Sequence, residues 1–220
     1  MIFKKKYSVY LRPYIFATNL GTYSPKKTID IKKFKIISII GNHFYHPNAQ
    51  GLELFSNKLL CKFLNDGWTI RIIGKAPSSL VRHLVKNSNK NPRLQILGYV
   101  EDLDKYLYDC PFVFCTTLSF SGDLIKIWTA IEKNKIVIVP RDYFNHNIEL
   151  QIFKNQIVLF DDFDNYEFIQ KNILNSLNIF NLSYNFEYSK HNYFKYTANE
   201  NKKLRLFIEG ICTLNEPLFV

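Results

Sequence analysis

The sequence predicts an α/β protein built on a doubly wound, mostly parallel sheet. Three observations carry that expectation. Short apolar runs recur along the chain and alternate with segments of helical period, the pattern of β-α-β units with right-handed crossovers. The first of them, 36–40, is a largely apolar run before a glycine rather than a strict alternation, which suits a strand covered on both faces. Turn residues follow them, as in GNHFYHP after Ile40 and GKAP after Ile73, so the chain can reverse at the carboxyl ends of the strands.

Taken in order, residues 1–33 lack a clear period, are punctuated by Pro13 and the 21–25 stretch, and read as strand pieces and loops. Residues 36–40 predict the first strand. A helix over 48–66 follows, with Leu52, Phe55, Leu59 and Phe63 on one face and Gly67 as its stop. Further strands are predicted at 70–73, 94–97, 113–116, 136–139 and 157–160, with helices between them at 78–86, 103–108, 124–132 and 145–153. A longer helix over 165–179 turns Phe168, Ile169, Ile173 and Leu177 inward, and 191–214 predicts a helical tail. The domain reading is therefore a connection over 1–33, an α/β domain over 34–180 and a C-terminal helical tail over 181–220. The strand order expected for this class is 3-2-1-4-5-6, with the 36–40 strand central.

Composition narrows the function classes. A chain of 220 residues that is 47% apolar can bury a real core, and no window approaches the roughly 18 apolar residues of a membrane span. The opening MIFKKKYSVYLRPYIF has a basic start without the apolar centre or cleavage site of a secretory signal. Cys61, Cys110, Cys115 and Cys212 show no C-x-x-C spacing and read as reduced thiols of a cytoplasmic protein. The net charge of +10 invites a nucleic-acid reading. Its one dense terminal cluster, Lys4 to Lys6 with Arg12, has no aromatic platform or zinc spacing beside it, and the chain is rich in Lys, Asn, Ile, Phe and Tyr throughout. Nucleic acid is not the favoured partner.

A ligand in such a sheet lies beyond the carboxyl ends of the strands, near the reversal of strand order. That selects the loops after Ile40, Ile73, Leu97, Leu118 and Pro140. In the first, Gly41 and Asn42 permit close approach, while His43, Tyr45 and His46 read as solvent-exposed loop side chains. No third ligand accompanies the histidines, so no metal is expected. In the second, Gly74 precedes Lys75, whose ammonium either meets a diphosphate or is simply solvated beside a turn. In the third, Tyr99 and Val100 follow the strand, Tyr99 reading on its own as a packing residue, and Glu101 and Asp102 read as a helix start. In the fourth, SFSGDLIK places Ser121 and Gly122 before a helix carrying Lys126, with Leu124, Ile127, Trp128 and Ile131 on its buried face. The run Asp161, Asp162 and Asp164 reads as a solvated cap.

Successive segments carry a resemblance. KIISIIGNHFYHPNAQGLELF, TIRIIGKAP, LQILGYVEDLDKYL, PFVFCTTL and the SGDLIK turn resemble, in order and spacing, the Rossmann-like C-terminal domain of GT-B glycosyltransferases of the family 4 type. The similarity covers about residues 34–177 and includes the G-x-P-N, G-Y-V-x-D-L and S-G-x-x-x-K patterns of a variant group. It implies transfer of a hexose from a nucleotide diphosphate sugar to a glycan or lipid-linked acceptor, with no metal or other cofactor. Gly41, Asn42, Gly74, Lys75, Ser121, Gly122 and Lys126 would line the donor diphosphate, and Tyr99 with Val100 would place the base. The sequence departs from the family where two glutamates with seven residues between them hold sugar and ribose: Ser121 and Thr129 stand there. Only 33 residues precede the resembling region, so the resemblance also implies an acceptor-domain polypeptide or oligomer as partner. The alternative expectation is a catalytically inactive nucleotide-binding or protein-interaction module derived from such an enzyme.

Overall fold

Six parallel strands form one sheet in the computed structural model, which describes residues 35–118, 124–133 and 135–183. They are β1 (Ile36–Ile40), β2 (Thr69–Ile73), β3 (Leu94–Gly98), β4 (Phe112–Phe114), β5 (Ile136–Pro140) and β6 (Ile157–Phe160), ordered β3-β2-β1-β4-β5-β6. The expected order holds, and strand order reverses between β1 and β4. The described residues fall within the unit Ile29–Tyr184.

Helices link the strands. The first, α1 (His46–Phe55), runs through a π-helical turn (Ser56–Leu60) into α2 (Cys61–Asn65). Then come α3 (Ser78–Asn87), α4 (Leu103–Leu107), α5 (Leu124–Glu132), α6 (Arg141–Asn145), a 3-10 helix (Ile148–Gln156) and α7 (Tyr166–Ser183).

Alternation along the strands builds two cores. Ile37, Ile39, Ile70, Ile72, Phe112, Phe114, Ile136 and Ile138 join Leu52, Phe55, Leu59, Phe63, Ile169 and Ile173 in one buried cluster. Phe55 meets Phe114 edge-on at 5.1 Å between ring centres, and Phe63 meets Trp68 at 5.9 Å, geometries that add to the area buried. The intervening residues Val113, Val137 and Val139 are equally buried. Ile127, Trp128 and Ile131 of α5 are buried too, and Trp128 packs edge-on against Phe153 at 5.4 Å. Both faces of β4 and β5 are thus dry, which is why their sequences read as unbroken apolar runs, whereas in β1 the buried Ser38 hydroxyl donates to the Cys110 sulfur.

Three expectations are corrected. The first helix begins at His46 rather than residue 48, because Pro47 fits the first turn, where no amide partner is lost. The fourth strand ends at Phe114, although the Cys115 amide still bonds the Ile138 carbonyl at 2.8 Å. The helix predicted over 145–153 is instead α6, started by Pro140 at its N-cap, followed by the 3-10 helix beyond the non-helical Asn147. Leu150, Phe153 and Gln156 are buried, and the backbone leaves helical geometry at Phe153 (φ −107°, ψ 20°), so the segment is two short 3-10 turns joined by a kink. The predicted 1–33 segment and the 191–214 helix lie outside the described residues, as does Cys212. Cys61, Cys110 and Cys115 are free thiols.

Candidate functional site

The loops at the carboxyl ends of β1, β2 and β3 are stitched together by backbone. The Gly41 amide donates to the Ile73 carbonyl at 3.0 Å, the His43 amide to Lys75 at 2.8 Å, and the Gly74 amide to Gly98 at 2.7 Å. Gly74 sits at φ +119°, and a Cβ there would stand 1.8 Å from the Gly41 carbonyl oxygen. Both conformation and space therefore demand glycine.

On the other side of β1 the approach is as close. A Cβ on Gly51 of α1 would lie 1.6 Å from the Thr116 carbonyl oxygen. This contact brings α1 over the residues that follow β4, where strand order reverses.

Three polar side chains meet there. Asn48 of α1 is 2% exposed. The Lys126 Nζ of α5 donates to Asn48 Oδ1 at 2.9 Å and to Thr117 Oγ1. The Thr117 hydroxyl donates to Asn48 Oδ1 at 2.7 Å, and Asn48 Nδ2 donates to the Asn42 carbonyl at 3.0 Å. Elements from both sides of the reversal thus hold one buried ammonium by charge-assisted hydrogen bonds.

His43 departs from expectation. It is 1% exposed, not a solvated loop histidine, and neither ring nitrogen has a hydrogen-bond partner of normal geometry. Burial, aided by the Lys126 charge and only partly offset by the Ile73 carbonyl, pushes its pKa down to about 4.

The remaining predicted residues spread around this centre. Lys75 is exposed, with Nζ 5.7 Å from the centre of the Tyr99 ring, which is itself 70% exposed. Val100 is half-buried beside it. Thr129 is half-buried on α5, one turn beyond Lys126. Ser121 and Gly122, with Asp123, lie outside the described residues. Asp102 Oδ1 caps α4 by accepting from the amides of Asp104 and Lys105. Asp162 Oδ1 likewise accepts from the amides of Asp164 and Asn165, while Asp161 pairs with Arg141 at 2.6 Å and Asp164 with Lys58 at 2.7 Å. A cavity of about 330 Å³ opens beside Thr117, walled by Leu118, Tyr143, Phe160 and Phe163. Asn48 and Thr117 were not singled out from the sequence. The available signals were Asn48 following Pro47 in the opening loop and a Thr116-Thr117 pair closing an apolar strand.

No protein-family profile matches the sequence, and no curated protein does. Solved structures do match. HepE of Anabaena in complex with UDP aligns with a TM-score of 0.56 and 12% identity, over 87% of this chain and 54% of its own. TarM aligns at 0.54 and 15% identity, over 88% of this chain and 37% of its own. The chain shares the α/β fold of part of each of these proteins. WaaG, a glycosyltransferase involved in lipopolysaccharide biosynthesis, aligns at 0.52 and 11% identity, over 84% and 51%. The chain therefore spans between about a third and a little over half of the length of the solved proteins it matches. Among the described residues no helix is long and apolar enough to cross a membrane.

Proposed function

We propose that the chain is the nucleotide-sugar-binding half of a glycosyltransferase. The observation that carries this reading is the buried Lys126 ammonium, held by Asn48 and Thr117 at the reversal of strand order. That is where open α/β sheets bind nucleotides. HepE, which shares the fold, was solved with UDP, so a nucleoside diphosphate is the first ligand to try.

In this reading the donor diphosphate lies over Gly41, Asn42, Gly74 and Lys75 and reaches Lys126; Ser121 and Gly122, which the resemblance also assigns to it, lie outside the described residues. Tyr99 and Val100 border the base, and Thr129 stands at the ribose. During transfer the bond between the anomeric carbon and the β-phosphate oxygen breaks and one to an acceptor hydroxyl oxygen forms. The electron pair left behind collects on the departing diphosphate, and a fixed cation in a dry site stabilises that growing charge. A hexose donor and a glycan or lipid-linked acceptor suit this chemistry. The acceptor, and the base that takes its proton, belong to an acceptor-domain polypeptide that partners this one.

A second reading is a nucleotide-binding module without transfer activity. It is favoured by Thr129, which stands where the family that the sequence resembles carries the second glutamate. Calorimetric titration with UDP and other nucleoside diphosphates tests what the two share. Lys126→Met should weaken binding about tenfold or more, the worth of one charge-assisted contact. Absence of binding at millimolar concentration would overturn both. Sugar transfer from the nucleotide sugar once the acceptor-domain polypeptide is added then separates the first from the second.

A further inference from the structure

One buried polar side chain at the crevice has incomplete bonding. His43 is 1% exposed, with Nδ1 and Nε2 both enclosed and without a hydrogen bond of normal geometry, the Ile73 carbonyl being its polar neighbour from the backbone. Native structures rarely leave such groups unmatched, and the exceptions call for an explanation. The backbone around it is firmly tied, since its amide donates to the Lys75 carbonyl at 2.8 Å and Gly41 donates to Ile73 at 3.0 Å. Only the ring is in an unfavourable setting. It lies against Gly41, its Cε1 3.5 Å from where a Cβ would stand, and close enough to Lys126 to feel that charge. The ring is consequently neutral at physiological pH and presents one N–H donor and one lone pair.

We propose that His43 is a ligand-contacting residue of this crevice: when a nucleoside diphosphate binds, the imidazole turns outward about χ1 and donates a hydrogen bond to a diphosphate oxygen. This rests on the nucleotide reading given above. The division of labour is physical. Lys126 supplies charge, while a neutral imidazole adds a directed donor without a second buried cation. Turning outward relieves the unmatched nitrogens at the moment a phosphate oxygen arrives, so the inward ring is the higher-energy arrangement once ligand is present. The backbone need not move, because the amide stays on Lys75 and the neighbouring Asn42, Phe44 and Tyr45 are already exposed.

The test is a long-range nitrogen–proton NMR correlation of the histidine rings in the full chain, recorded during titration with UDP. The His43 ring signals should shift and saturate with the same Kd that calorimetry gives. His43→Leu should weaken UDP binding about fivefold to tenfold while its thermal midpoint is unchanged or raised, because an apolar side chain of similar size suits the buried position. His43→Gln, which keeps an N–H donor, should stay within about threefold of the parent. Ring signals unmoved at saturating UDP, or parental affinity in His43→Leu, would overturn the proposal. If Lys126→Met weakens binding and His43→Leu does not, the nucleotide reading stands and this inference falls; if the parent protein binds no UDP, both fall. Should His43→Leu fail to fold, the ring signals of the parent protein decide alone.

Discussion

Gly51 of α1 and Thr116 beyond β4 touch through bare backbone, with only 1.6 Å between the place of a Gly51 Cβ and the Thr116 carbonyl oxygen. That contact sets the width of the crevice. Asn48 lies one turn before Gly51, and Thr117 is the next residue after Thr116, so the two polar groups meet because the two backbones do.

Gly51→Ala tests this directly. At an unhindered position inside a helix, alanine in place of glycine stabilises by about 1 kcal/mol. Here the new methyl collides with backbone that cannot rotate away, and the substitution should instead cost about 2–3 kcal/mol. UDP binding should weaken with it as Asn48 and Thr117 separate. Urea unfolding reads the sign, and a stabilised variant would show that the close approach does not exist in solution.

Thr117→Val removes the hydroxyl that both accepts from Lys126 and donates to Asn48 while keeping the shape. A buried cation that loses an acceptor should cost about 1.5–3 kcal/mol. Combined with Lys126→Met in a double-mutant cycle, it should show coupling of more than about 0.5 kcal/mol. Additive effects would mean that the three side chains do not act as one group.

The centre of the sheet was legible because β4 and β5 are buried on both faces: runs such as Ile136 to Val139 have no polar face to leave ambiguous. The 3-10 helix was misread as an α-helix because Leu150 and Phe153 are spaced three apart, which one turn of either helix can accommodate. The site was legible only as loops. That Asn48 would meet Thr117, 69 residues later, depends on how far α1 slides over β4, and this is decided by the Gly51 contact rather than by any local pattern. The burial of His43 was hidden for the same reason. A polar residue in a polar loop carries no sign of the backbone bonds that tuck it inward.

His43 also gives the fold a pH dependence whose sign follows from its setting. Its pKa falls from 6.5 to about 4 on folding. Below pH 6.5 the unfolded chain therefore binds a proton that the folded chain refuses, and stability should drop as pH falls from about 6.5 to 4 and then level off. The gap corresponds to a loss of up to about 3 kcal/mol across that window. His43→Leu should flatten that part of the stability profile, measured by chemical unfolding at successive pH values. A slope identical to that of the parent protein would place the ring in water.

Thr129 offers a test of where the ribose lies. It stands one turn beyond Lys126, and residues three apart on a helix share a face. If the ribose lies there, Thr129→Glu supplies a carboxylate at that position and adds a charged hydrogen bond to a ribose hydroxyl. Such a bond contributes about 1.5 kcal/mol, so UDP affinity should improve about tenfold. 2′,3′-Dideoxyuridine diphosphate, which lacks both hydroxyls, should gain nothing. Because the same added charge would repel the diphosphate if the nucleotide lay the other way round, weaker binding of UDP and of the dideoxy analogue alike would reverse the orientation assigned here. Tighter binding of UDP alone would fix the ribose against α5 and leave the diphosphate over Gly41 and Lys126.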